Sequence, residues 1–388
     1  MQVVAINWHV YRLTHSPLAL GFVGLTRVVP IIVFSLWGGV VADRYDRRRV
    51  MIATQATMAV VALLLAVVTF ADWATLAIIY TLNAMSAAAG AFDGPSRQAL
   101  IPRLVPSEDL PGALSLNVSA FQASAIAGPA LAGAAIAAAP ADMHGLAFIY
   151  LVNALSFVSV IAALAMMRTS GAAAPSEGPP AHPIAALREG LRFVFRTPLI
   201  VWTMALDFLA TFFSGSMSLL PIFADQVLHV GAAGYGLLAS APAFGALAGS
   251  LYLSLKPMPG RQGRVFLWAV VAYGAATVVF GFSRVFWLTL AGLAGTGLAD
   301  SISTVIRQTL RQLVTPDALR GRMTSVNMIF FMGGPQLGEL EAGLVASLFA
   351  SAALGVTVSV VSGGLATILI AAAIAARAPL LRRYDFRP

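Results

Sequence analysis

Gly39-Val-Val-Ala-Asp43-Arg44-Tyr45-Asp46-Arg47-Arg48-Arg49 is a short basic turn between two long apolar runs, Leu18 to Ala42 and Val50 to Phe70. A helix needs about 20 apolar residues to cross the hydrocarbon core of a bilayer, and both runs reach that length. The turn therefore joins two membrane-spanning helices. Gly39 permits close helix approach, Asp43 suits the positive N-terminus of a neighbouring helix, and the arginines can bond carboxylates or lipid phosphates.

Working outward, further spans are expected at Trp73 to Phe92, Ala113 to Ala138 and Leu146 to Met167, and then at Leu199 to Ala224 and Tyr235 to Leu255. Four more follow, at Val265 to Phe282, Phe286 to Val305, Thr324 to Ala350 and Leu354 to Ala376. Composition agrees: of 388 residues, 59% are hydrophobic and 10% charged, more apolar surface than a soluble domain can hide. The absence of cysteine excludes a disulfide framework, a thiolate nucleophile and a Cys-based zinc site. The apolar stretch Met1 to Leu13 covers only about 20 Å at about 1.5 Å per residue. The first helix is thus expected to be incomplete, its cytoplasmic part lying outside this chain. A short, tilted or re-entrant segment is the alternative.

The net charge is +8, and every basic residue except Arg12, Arg27 and Arg284 falls on one set of alternate connections. The positive-inside rule makes that side cytoplasmic and puts the C-terminus there. Scattered arginine clusters, with Lys256 the single lysine, argue against nucleic-acid binding. The polar stretch divides the chain into an N-terminal transmembrane lobe (1–167), a cytoplasmic linker (168–198) and a C-terminal lobe with a short tail (199–388). The linker opens with an Ala, Pro and Gly-rich piece, Ser170 to Pro183. Beyond it, Ile184 to Arg196 alternates apolar and basic residues at helical spacing, as suits a helix lying on the anionic inner leaflet.

The two halves resemble each other. Arg97-Gln-Ala-Leu100 before Leu104-Val105-Pro106 is matched by Arg307-Gln-Thr-Leu310 before Leu313-Val314 and Pro316, at an offset of 210 residues. Self-similarity of this kind marks a transporter made of two related bundles.

The Gly39 to Arg49 turn closely resembles the loop signature of the major facilitator superfamily, Gly-x-x-x-Asp-Arg-x-Gly-Arg-Arg, with Asp46 in place of the usual glycine. Ser124-Ala-Ile-Ala-Gly128-Pro129-Ala-Leu-Ala132-Gly133 is similar to the superfamily's exporter signature, with Ser and Ala at two glycine positions; Pro129 kinks the helix, and Gly128 and Gly133 allow close packing. The pieces Phe92 to Arg103, Leu219-Leu-Pro-Ile-Phe223 and Gly234-Tyr-Gly-Leu-Leu238 resemble the branch that includes enterobactin exporters and macrolide efflux proteins. The resemblance implies an all-α membrane protein with the major facilitator fold, two six-helix lobes related by a pseudo-two-fold repeat. It also implies that the basic turn locks the inward-closed state, with Asp93 pairing with Arg47. The fourth span lacks the arginine that many proton-coupled drug antiporters of the superfamily carry there.

Ionisable residues at membrane depth are costly and are therefore functional candidates. Arg27 and Glu339 lie at a common depth below the outer ends of the second and eleventh spans. These helices face each other in the superfamily, and the pair is expected to form an outer gate. Asp207 lies about 12 Å and Asp300 about 9 Å inside their spans from the cytoplasm. A carboxylate that moves between dry and wet surroundings takes up and gives off a proton in turn. Asp207 is the expected proton carrier, Glu339 next, with Asp300 a further candidate. Asn7, Asn83, Gln122, Phe208, Phe212 and Gln336 are expected at the substrate cavity.

No phosphate-binding Gly-x-x-x-x-Gly-Lys-Ser/Thr loop and no His-Glu-x-x-His helix is present, so neither ATP hydrolysis in the usual manner nor metalloprotease chemistry is expected. The chain is read as a secondary active transporter, not an enzyme. It would export a small amphipathic molecule, siderophore or drug-like, by proton-coupled alternating access. Expected partners are that substrate, protons and the lipid bilayer of the inner membrane, with no cofactor, metal or nucleic acid, and the chain is expected to act as a monomer. The alternatives are an importer or uniporter on the same fold, or a non-transporting sensor or scaffold.

Overall fold

The computed structural model describes residues 1–138, 144–167, 183–255, 260–316 and 319–385, and among them every regular element is helical. The helices are α1 (Gln2–Thr14), α2 (Pro17–Arg44), α3 (Arg47–Phe70), α4 (Leu76–Leu100), α5 (Leu110–Ala138) and α6 (His144–Met166), followed by α7 (Pro183–Arg196) and α8 (Pro198–Phe213). After a short α9 (Leu220–Ile222) come α10 (Gly231–Leu255), α11 (Gln262–Phe282), α12 (Phe286–Val314), α13 (Arg320–Ser347), α14 (Ala352–Arg377) and the short α15 (Pro379–Arg383). Most are long and apolar enough to cross a membrane. Pro30, Pro95, Pro129, Pro242 and Pro335 all lie inside helices, which is tolerated at membrane depth because neighbouring groups re-satisfy the freed carbonyls.

The chain divides into two compact units: Met1–Leu13 with Thr26–Pro183, and Thr14–Leu25 with Ile184–Pro388. In the first unit α3 packs on α4 and α6; in the second α11 packs on α12 and α14. The same third-on-fourth and third-on-sixth pairing thus recurs in each half. The helix starts repeat too, since Leu76 of α4 and Phe286 of α12, and likewise Leu110 of α5 and Arg320 of α13, stand 210 residues apart. The offset read from two short sequence matches is therefore also that of the two helix pairs that flank them.

Three expected elements differ. α12 runs on to Val314 instead of ending at Val305, because two further turns of helix carry Arg307 and Arg311, charges that end a hydropathy run without ending a helix. The seventh span is interrupted: α8 stops at Phe213, and after Ser214-Gly215-Ser216 the chain resumes as a 3-10 turn, α9 and a π turn over Phe223–Val227. The break is held by α14, where the Ser214 hydroxyl lies 2.9 Å from that of Thr367, and Gly215 stands where a Cβ would press on Gly338 and Pro335 of α13. Finally, the amphipathic α7 forms, and part of its apolar side, Leu191, Phe193 and Val194, packs inward. Val194 joins Ile200 and Met204 of α8, Leu310 of α12 and Met323 and Val326 of α13 in one cluster, while Arg188, Arg192 and Arg196 are exposed.

Candidate functional site

The second unit buries a three-membered charge cluster. Asp207 is buried on α8, a helix that gives Ile200 and Met204 to one apolar cluster and Leu206 and Ala210 to another. Burial of a carboxylate among such residues requires a partner, and α12 provides one. The guanidinium Nη1 of Arg307 pairs with Asp207 Oδ2, and the two side chains are 6% and 9% exposed respectively. The rest of the guanidinium is also engaged: Nε donates to the Ser303 carbonyl at 3.3 Å, Nη2 donates to the Thr304 hydroxyl at 2.7 Å, and Nη2 lies 3.6 Å from Asp300 Oδ1. Asp300 differs from Asp207 in that its side chain is 44% exposed. With α12 extended to Val314, Asp300 lies midway along its helix, about 21 Å from either end.

The sequence reading missed Arg307, counting it among the cytoplasmic charges. Two signals mark it. Asp300 and Arg307 are seven residues apart, a spacing that drifts only about 20° around a helix, so they share a face. Arg307 also occupies the place of Arg97 in the repeat.

An aromatic wall stands beside the cluster. Phe208 stacks on Phe212 with ring centroids 6.0 Å apart and meets Phe330 of α13 edge-on at 5.9 Å. The α8 and α13 backbones approach closely through Gly334, whose added Cβ would strike Thr211, and Gly338, whose Cβ would strike the Phe212 carbonyl. Gln336 lies on the same helix, and its Oε1 is buried with no hydrogen-bond partner.

Glu339, 8% exposed, faces the Thr14–Leu25 segment of the second unit, where Cβ atoms added at Gly21 and Gly24 would lie 2.9 Å from its carbonyl oxygen and 2.8 Å from its Oε2. Arg27 belongs to the first unit.

In the first unit the basic turn folds as two helix ends. Gly39 and the Asp43 side chain lie outside what the structure describes. Asp46, the departure from the signature, caps α3: its Oδ1 accepts from the backbone N–H groups of Arg48 and Arg49 at 2.9 and 3.1 Å. Arg47 donates to the Ala99 carbonyl at 3.2 Å and Arg48 to the Ala165 carbonyl at 2.6 Å, so each closes the C-terminal turn of a neighbouring helix, α4 and α6, where a cation also meets the negative end of the dipole. Asp93 is buried and accepts from Gln55 Nε2 at 2.9 Å and Thr54 Oγ1 at 3.2 Å. Arg97 pairs with it at 2.6 Å one helical turn on and shares the face of α4 that Asp93 occupies. Elsewhere in this unit Asn83 donates to the Thr26 hydroxyl at 2.9 Å, and Asn7 is buried with Oδ1 lacking a hydrogen-bond partner. Gln122 is half-buried on α5, Pro129 is half-buried, Gly133 is buried, and a Cβ at Gly128 would lie 3.2 Å from the Met1 nitrogen.

The sequence profile of a family described as transmembrane secretion effectors matches residues 1–385. The chain belongs to this family. Transmembrane secretion effectors are major facilitator proteins, and the fold is that of the superfamily, all-helical with two related six-span halves. Among curated relatives, the enterobactin exporter EntS of Citrobacter koseri is 27% identical over 88% of this chain and 80% of its own length, and the Escherichia coli protein of the same name is 25% identical over the same shares. Among solved structures, a POT family transporter in complex with 5-aminolevulinic acid aligns at TM-score 0.78 with 11% identity, covering 98% of this chain and 93% of that one. A bacterial homologue of the lysosomal transporter Spinster, inward-facing and occupied, aligns at 0.75 with 13% identity, covering 99% and 96%. This secretion effector is a transporter with exporters as its relatives, a non-enzyme class, and a multi-pass inner-membrane protein that takes a small-molecule substrate.

Proposed function

We propose that the protein exports a small amphipathic molecule, siderophore or drug-like, in exchange for protons by alternating access of its two lobes. The Asp207, Arg307 and Asp300 cluster carries this reading. Two carboxylates and a guanidinium held at membrane depth are costly to keep, and a carboxylate beside a buried cation can couple proton uptake to helix movement. The aromatic wall of Phe208, Phe212 and Phe330 suits the apolar body of such a cargo, and the unpartnered Oε1 of Gln336 on α13 offers it a polar group. The kinship with enterobactin exporters supports outward transport and makes a catecholate siderophore the first cargo to try. Arg27 and Glu339 are the proposed gate. One proton moved across 100 mV supplies about 2.3 kcal/mol, enough for about fifty-fold accumulation of a neutral cargo.

Proteoliposomes with an imposed pH gradient and enterobactin or ethidium as probe test the proposal. Uptake into inside-out-oriented protein is expected to follow the gradient and to collapse with a protonophore. Transport of either probe that ignores the gradient would overturn the proton coupling.

A further inference from the structure

Arg307 does not treat its two carboxylates alike. Asp207 is in direct contact with the guanidinium and shut away from solvent, whereas Asp300 stands 3.6 Å off with nearly half of its side chain open. Other polar groups lie near the cluster on α12, α11 and α10. Arg311 lies one turn along α12 from Arg307, Tyr273 of α11 faces Asp300, and from α10 Ser250 bonds to Ser301, the residue next to Asp300, at 2.9 Å.

We propose that Arg307 is a positioning residue that keeps Asp207 as its standing counter-ion, and that Asp300 is the carboxylate that takes up and gives off the transported proton. This rests on the proton-coupled reading above and reverses the order of the two aspartates expected from sequence. If Asp207 were protonated, a buried guanidinium would lose its direct partner, and a buried charge stripped of its partner is strongly destabilising. Protonation of Asp300 leaves the direct pair intact. Exposure points the same way, because 44% of the Asp300 side chain is open against 9% of that of Asp207. Uptake forms one O–H bond on Asp300 and changes the charge of the Asp207, Arg307 and Asp300 set from −1 to 0. Release to water on the other side of the membrane restores it.

The test is an infrared pH titration of the full-length protein in nanodiscs, following the stretch of the protonated carboxyl group. The wild type is expected to show a titrating band that Asp300→Asn removes and Asp300→Glu restores, the latter guarding against a fold lost in the amide variant. Asp207→Glu is expected to retain the band. Arg307→Gln is expected to move its midpoint by about one pH unit or more, with Arg307→Lys bringing it back, a rescue that a merely structural arginine would not give. A band that survives in Asp300→Asn, that disappears in Asp207→Glu, or that is absent from the wild type overturns the proposal. The titration needs no cargo, so the two readings fail separately. Gradient-independent export would sink the proton-coupled reading, whereas gradient-driven export with the band assigned to Asp207 would sink only this one.

Discussion

Arg307 of α12 and Asp207 of α8 form an ion pair in which neither side chain is more than a tenth exposed. Removing one member of such a pair leaves an uncompensated buried charge, at a cost of about 3–5 kcal/mol. Asp207→Asn and Arg307→Gln are each therefore expected to lower the unfolding temperature sharply. The double variant Asp207→Asn with Arg307→Gln should lose clearly less than the two single losses added together. Thermal unfolding of the four proteins in detergent checks the cycle, and strict additivity would show that the pair does not hold α8 to α12.

The crossing of α10 and α12 depends on two glycines. A Cβ at Gly297 would strike the Pro242 carbonyl, and one at Gly245 the Ala294 carbonyl. Overpacking at a contact of this kind costs about 1–3 kcal/mol, so Gly297→Ala should destabilise by that amount. Gly295→Ala, whose Cβ would meet only the Ala276 methyl at 3.3 Å, should cost much less. The same melting assay ranks them.

Asp93 fastens α4 to α3 through Thr54 and Gln55 and carries Arg97. Hydrogen bonds to a charged group contribute about 1.5–3 kcal/mol, so Asp93→Ala is expected to destabilise by about that much. Asp93→Asn keeps an acceptor for Gln55 and should lose less. Equal losses in urea unfolding would mean that the charge, and not the retained acceptor, holds the two helices together.

For the proposed gate, export rates of wild type, Arg27→Ala, Glu339→Ala and the double variant should show a coupling of about 1 kcal/mol or more. Sites that act independently add within about 0.5 kcal/mol, and that result would dissolve the pairing.

Much of the fold was legible because crossing a bilayer imposes length and apolarity on each helix, and α2, α3, α5 and α6 begin and end within a few residues of where hydropathy put them. What hydropathy reads poorly is a helix that continues past its first charge. α12 was cut short before Arg307, and the same truncation turned a buried arginine into a surface one. The interruption at Ser214-Gly215-Ser216 was hidden for the opposite reason, since three small residues barely dent an apolar average. The roles of Asp46 and Arg48 needed coordinates, because a helix cap depends on which backbone groups are left over where two chain ends meet.

Arg97 and Arg307 occupy the same rung of the repeat, yet the first is a half-exposed strap across one turn of α4 and the second is locked inside its bundle. The two halves have therefore kept a common scaffold while allotting different work to one inherited side chain. Such asymmetry means that a substitution at this rung touches only a local brace in one half and a buried charge cluster in the other.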